Sequence, residues 1–288
     1  MAADVFTDNR PLLFSVAYRL TGSVADAEDV VQEAWLRWQR TDTEQVRAPK
    51  AYLVKTVTNL ALTEVQSARA RRETYVGPWL PEPMLTSPDT AEEVEMAESV
   101  SLAMLVVLES LSPLERVVFV LGDVFGYGQA EIAEMIDREP AAVRQLAHRA
   151  REHVQARRPR YATDRETQAD VVARFRDACA GGDMAEMMRL LAPDVTVWSD
   201  GGGKVTAARR PVVGADNVAR WLFGVLAKPT VQGVGMEIAT VNDEPALLAT
   251  AADGEVVGSL SFELDGDRIV GLRMMLNPDK LGGLRRPE

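Results

Sequence analysis

Apolar positions recur along the 288 residues with three different textures. From residue 10 to residue 73 the spacing is helical and breakers are few. Ser23-Val24-Ala25-Asp26 carries the capping-box pattern and predicts a helix to about Gln39. At about 100° per residue, Val24, Ala27, Val30, Val31, Ala34, Trp35 and Trp38 form one broad apolar stripe. Asp26, Asp29 and Glu33 gather on the opposite face, a carboxylate surface with little basic relief. A second helix is expected from Ala51 to Ala70, running into "RARRE".

The middle texture, 112–158, is helical with sharp punctuation. Ser112-Pro113 opens a helix with proline at its first position. "FGYG" breaks the chain, a short helix spans about Gln129 to Ile136, "DREP" turns, and Pro140 starts another helix. Two helices joined by a tight turn, the second one basic, form a helix-turn-helix arrangement. In that second helix Val143, Leu146, Ala147 and Ala150 point one way. Arg144, His148 and Arg151 lie opposite, flanked by Gln145 and Arg149. Arginine reads guanine and glutamine reads adenine bidentately in a major groove that admits a helix. Basic surface helices also occur in hairpins that never touch DNA, so the one-sided charge and the tight turn together carry the DNA reading.

From about residue 165 the pattern changes again. An amphipathic helical pair is split at Gly181-Gly182, followed by the alternating stretch "DVTVWSD", a glycine run and a helix in "GADNVARWLFGVLA". Four strands are expected at 234–241, 245–251, 255–264 and 268–276. Helices followed by a run of strands predict an α+β domain with its own core.

Composition and charge narrow this picture. No apolar run is long enough to cross a bilayer, and no signal peptide is expected. The single cysteine, Cys179, suits a reducing cytoplasm. A net charge of −11 argues against indiscriminate nucleic-acid binding. Yet 47–75 holds six basic residues against two acidic ones, and 140–160 six arginines against Glu152 alone. The stretch 76–110 between them has seven acidic residues and no basic one. Two basic islands in an acidic chain predict two localised phosphate contacts.

The motifs "AYRLTGSVADAEDVVQEAWLRW" (17–38) and "LSPLERVVFVLGDVFGYGQAEIAEMIDREPAAVRQLAHRARE" (111–152) resemble conserved regions two and four of extracytoplasmic-function RNA polymerase sigma factors. The tail resembles a SnoaL-like domain of the nuclear-transport-factor-2-like superfamily. The combination is similar to the sigma-J-like subgroup, with "WLPEP" (79–83), "DGGGK" (200–204) and "NPDKL" (277–281) in order. The resemblance implies two all-α sigma domains, the second a helix-turn-helix, followed by an α+β cone with a curved antiparallel sheet. The boundaries expected are region two over 1–74, a linker over 75–100, region four over 101–160 and the SnoaL-like regulatory domain over 165–288.

The same resemblance implies the partners: core RNA polymerase and promoter DNA, with no membrane, no cofactor and a monomer when free. It assigns polymerase docking to Asp26, Asp29, Gln32 and Glu33 and the −10 element to Lys55, Asn59, Arg69, Arg71 and Arg72. It assigns the −35 element to Arg144, Gln145, His148, Arg149 and Arg151. Thr63, Gln66 and Ala70 depart from the family pattern and weaken the expected −10 contact. A small ligand in the tail is left open. So is an alternative, a helix-turn-helix regulator with a ligand-sensing tail.

"YVGPWLPEP" (75–83) is stiff and greasy where a linker is usually soft. Prolines 78, 81 and 83 hold it extended with little entropy left to lose on docking. The resemblance implies that the fused tail restrains the sigma regions in cis, and with it Trp79 and Leu80, with Pro81, Glu82 and Pro83, are expected to pack near Asp200, Gly201, Gly202, Gly203 and Lys204, and near Asn277, Pro278, Asp279, Lys280 and Leu281. Lys204 or Lys280 is available to Glu82. The alternative is that Trp79 closes region two's own core. Asp200 beside Trp198 invites a catalytic reading, but no acid or oxyanion donor accompanies it, and no enzyme is expected.

Overall fold

A computed structural model describes residues 2–72, 74–86, 100–157 and 163–285. They fall into two units, one drawn from 2–72 and 100–157, the other from 74–86 and 163–285. No described helix is long and apolar enough to cross a membrane.

The first unit is helical. Helix α1 (Ala2–Thr21) leads through Gly22, at φ +70°, into α2 (Val24–Arg40). Ser23 caps α2 by accepting from the Asp26 amide at 3.0 Å. Ala27, Val30, Val31, Ala34 and Trp38 of the apolar stripe are buried, and Trp38 packs its ring 5.7 Å from that of Tyr52 on α3 (Pro49–Arg72). Then come α4 (Leu102–Glu109) and α5 (Pro113–Phe119), the latter closed by a full capping box between Ser112 and Glu115. A π-helical turn at Val120–Val124 follows. The next pair is α6 (Gln129–Met135) and α7 (Pro140–Gln155), turned through Asp137 at φ +52°. Val143, Leu146, Ala147, Ala150 and Val154 make the buried face of α7. The two helical blocks are tied together: the Arg116 Nε donates to the Arg19 carbonyl at 2.8 Å, and the Asn59 amide to the Met135 carbonyl at 3.0 Å.

In the second unit α8 (Arg165–Gly181) is started by Asp164, which accepts from the Thr167 amide, and stopped by Gly182 at φ +68°. Then follow α9 (Met184–Leu190), β1 (Leu191–Asp200), β2 (Val212–Val213), α10 (Ala215–Leu226), β3 (Gly235–Val241), β4 (Glu244–Thr250), β5 (Val256–Asp265) and β6 (Arg268–Met275). The strand order is β2-β1-β6-β5-β4-β3. Strands β3 to β6 form an antiparallel meander; its first hairpin turns on Asn242 and Asp243, both at positive φ. The expected all-antiparallel sheet needs one correction: β1 runs parallel to β6. Parallel neighbours require a long connection, and the meander itself supplies it. One sheet face packs on α8 and α10 through residues such as Val172, Phe175, Val197, Val218, Leu260 and Phe262. Phe175 and Phe262 meet edge to face with centroids 5.1 Å apart.

Candidate functional site

The segment 74–86 lies in the second unit as a strip of that domain. Its prolines keep it extended, so it has few internal hydrogen bonds to satisfy its own backbone, and the domain supplies them. Three backbone hydrogen bonds fasten its far end: the Asn242 amide donates to the Met84 carbonyl at 2.9 Å, the Leu85 amide to the Gly283 carbonyl at 2.8 Å, and the Thr86 amide to the Thr240 carbonyl at 3.0 Å. Leu85 thereby bridges antiparallel to Val241 at the edge of the sheet.

At the near end, one carboxylate organises everything. Asp200 closes β1 and is fully buried. It accepts from the Tyr75 hydroxyl at 2.5 Å, the Leu80 amide at 2.9 Å, the Gly202 amide at 3.1 Å and the Lys280 ammonium at 2.8 Å. The ammonium also donates to the Leu80 carbonyl at 2.7 Å and sits 4.0 Å from the Trp79 ring centroid and 4.9 Å from that of Tyr75. Asn277 completes the ring by donating to the Tyr75 oxygen at 2.9 Å. "WLPEP", "DGGGK" and "NPDKL" meet here.

The energetics favour keeping this cluster closed. A buried ion pair that loses one partner is penalised heavily, because the remaining charge stays in a low-dielectric site. The aromatic rings add cation–π attraction strengthened by burial. Leu80 is only 3% exposed, and sealing such a side chain from water contributes on the order of 2 kcal/mol. Burial first, then the hydrogen bond and charge of Asp200, push the Tyr75 phenol far above its ordinary 10, so it acts as a fixed donor. The glycines have a local reason: Gly202, at φ +60°, would drive a Cβ to 2.4 Å from the Asn277 amide nitrogen.

Other expected residues stand as follows. Pro81, Glu82 and Pro83 are buried. Lys204 goes to Asp279 at 2.7 Å, and Lys280 takes Asp200, where the sequence offered either lysine to Glu82. Trp79 stands against Lys280 in the second unit. Trp198 lies under the Arg273 guanidinium, 4.9 Å from its carbon. Pro278 and Asp279 begin the 3-10 turn that presents Lys280, and Leu281 is buried behind it. Tyr75 and Asn242 were not singled out from the sequence. Tyr75 sits in the quoted stretch, and a tyrosine in a proline-rich linker is the signal that would have found it.

In the helical unit, Asp29 and Gln32 are exposed on α2, Asp26 is half-buried, and Glu33 is held by Arg37 at 2.9 Å. Lys55 is exposed on α3; the Asn59 amide is committed to Met135. Arg69, Arg71 and Arg72 belong to α3, but their side chains lie outside the described residues. On α7, Arg144 and Gln145 are exposed with no partner among the described residues. Arg149 pairs with Glu115 at 2.9 Å, Arg151 with Asp123 at 2.8 Å, and His148 faces Glu152 at 3.8 Å. Burial opposes ionisation of Glu115, but the Ser112 hydroxyl and amide and the Arg149 guanidinium hold its carboxyl below the usual range.

Comparison with known proteins gives concordant matches. The sigma-70 region 2 family model matches residues 5–71, and the sigma-70 region 4 model matches residues 101–154. The ECF RNA polymerase sigma factor SigJ of Mycobacterium tuberculosis is 41% identical over 297 residues, covering 98% of this chain and 94% of that protein. The probable ECF sigma factor SigI of the same organism is 31% identical, covering 96% and 93%. The crystal structure of M. tuberculosis SigJ superposes with a TM-score of 0.80 at 37% identity, covering 98% of this chain and 99% of that one.

Proposed function

The chain belongs to the extracytoplasmic-function RNA polymerase sigma factors, and from that premise we propose that its C-terminal domain restrains it by clasping the segment between its two sigma regions. A sigma factor works with core polymerase and promoter DNA. Regions two and four read promoter elements that lie on separate turns of the duplex, so they must part and the segment between them must follow. A segment bound along 74–86 is not free to do so. The observation that carries this reading is the Asp200–Lys280 pair, which grips the linker backbone at Leu80 through both its amide and its carbonyl.

The remaining assignments follow from exposure and charge. Asp29 and Gln32, with Asp26 and Glu33 beside them, offer polymerase an acidic surface, which favours a rapid, salt-sensitive encounter. Arg144 and Gln145 stand ready for the −35 element, while Arg149 and Arg151 exchange their carboxylates for phosphate. Lys55 and Asn59 serve the −10 element once the Asn59–Met135 bond opens. On this reading the chain acts by binding, and the Asp200 carboxylate is occupied by four donors of the protein itself.

Run-off transcription with core polymerase tests the restraint. The double variant Asp200→Asn/Lys280→Met removes both charges together and leaves neither stranded. It is expected to raise promoter output several-fold over the wild-type chain. Output equal to or below wild type, from variant protein that still binds core enzyme, contradicts the proposal.

A further inference from the structure

Behind the glycine loop the second unit contains a cavity of about 410 Å³, within the range of small-ligand sites. Ser199, one residue before the clasp carboxylate, lines it. Ser199 is 1% exposed, and its hydroxyl has no hydrogen-bond partner. A buried hydroxyl left unsatisfied is costly, and such a group in a cavity wall points to an occupant. Much of the rest of the lining comes from the stretch 201–209, folded back so tightly that a Cβ on Gly201 would lie 2.7 Å from the Val205 carbonyl.

The charge of this stretch is positive, a third basic island in the chain. From Gly201 to Ala215 the chain carries Lys204, Arg209 and Arg210 and no carboxylate, although the whole protein has a net charge of −11. Lys204 is held at the rim by Asp279. Arg209 lines the cavity, is exposed, and has no ion-pair partner among the described residues. Thr206 adds a second hydroxyl to the lining. A guanidinium without an ion-pair partner, a buried unpaired hydroxyl and a second hydroxyl on residues that line one space are donors of the kind that recognise an oxyanion.

The linker itself supplies the rest of the lining. Val76 and Gly77 line the cavity; Gly203 packs on the Val76 side chain, and Gly77 faces the Arg209 backbone at 3.7 Å from its own missing Cβ. A molecule here touches the linker and the loop at once. We propose that this cavity binds a small metabolite bearing a carboxylate or phosphate group, held by Arg209 and Ser199, and that its occupancy tightens the hold on the linker. The second half rests on the restraint proposed above; the first half stands without it.

The two halves separate experimentally. The full-length chain, labelled with nitrogen-15, is titrated with inorganic phosphate and with succinate, with glucose and putrescine as neutral and cationic controls. Saturable amide shifts confined to residues 76–77 and 199–209 are expected with at least one anion and with neither control. The two anions distinguish the phosphate from the carboxylate source. Arg209→Ala should weaken that binding by about tenfold or more, as loss of a charged hydrogen bond does, and Arg209→Lys should restore part of it. Ser199→Ala should weaken it less and should hold or raise the melting temperature of the free chain. No saturable shift with either anion, or shifts undiminished in Arg209→Ala, overturns the site. Because this readout needs no polymerase, its failure leaves the transcription result for the Asp200/Lys280 variant standing, and the reverse also holds.

Discussion

Asp200 shows how much one side chain can organise when its environment leaves it no other role. Its neighbours are all fixed by local features: a strand end, a glycine turn, a 3-10 turn and a proline-stiffened linker. Another carboxylate, Glu244 at the start of β4, carries a different consequence. Burial, countered by Arg273 and reinforced by Glu263 and Asp243, pushes its carboxyl up from the ordinary 4.5 to about 7. An acid raised on folding keeps its proton in the folded chain where the unfolded chain has lost it. Its contribution is therefore intact below about 4.5 and fades as pH rises through about 7. Stability from urea unfolding should fall between pH 5 and pH 8 by an amount on the order of 2 kcal/mol that Glu244→Gln abolishes. An unchanged slope in the variant would assign that pH dependence elsewhere. None of this was legible in the sequence, since Glu244 meets Arg273 and Glu263 only through the register of three strands.

Elements were more legible than contacts. Capping residues and apolar spacing locate α2 and α7 because both signals are local, and Ser23 and Pro140 act where the pattern puts them. The four meander strands are visible for the same reason. The parallel β1–β6 pairing is not, because it joins residues about 75 positions apart with no tight turn between them to betray it. The basic face of α7 was legible as charge but not as pairing: Arg149 and Arg151 fold back onto Glu115 and Asp123, which arrive from α5 and the π-helical turn. That difference within one helix has a testable form. Arg144→Ala and Gln145→Ala should each cost about 1–3 kcal/mol of promoter affinity and relax the base preference at one −35 position. Arg149→Ala should weaken binding uniformly across promoter sequences and lower the salt slope by about one. Equal effects on sequence preference from all three would contradict the division between base readers and phosphate holders.

At the scale of the whole molecule, the three short motifs that mark the resemblance are far apart in the chain and adjacent in the second unit, where they converge on the linker. That the linker docks was foreseeable from the stiffness and apolarity of "YVGPWLPEP", which has no use for those properties as a free spacer; the motifs it meets were named by the resemblance. The partner of each lysine was not foreseeable, because Lys204 and Lys280 lie on different turns and only the folded loop decides which carboxylate each one reaches. The central claim is that the linker is held by this domain until polymerase takes it. Hydrogen exchange at the Leu80, Leu85 and Thr86 amides, which donate to Asp200, Gly283 and Thr240, reads that claim directly. These amides should be protected in the free full-length chain and lose protection when core polymerase is added. Rapid exchange in the free chain, or protection that survives intact in the holoenzyme, would contradict it.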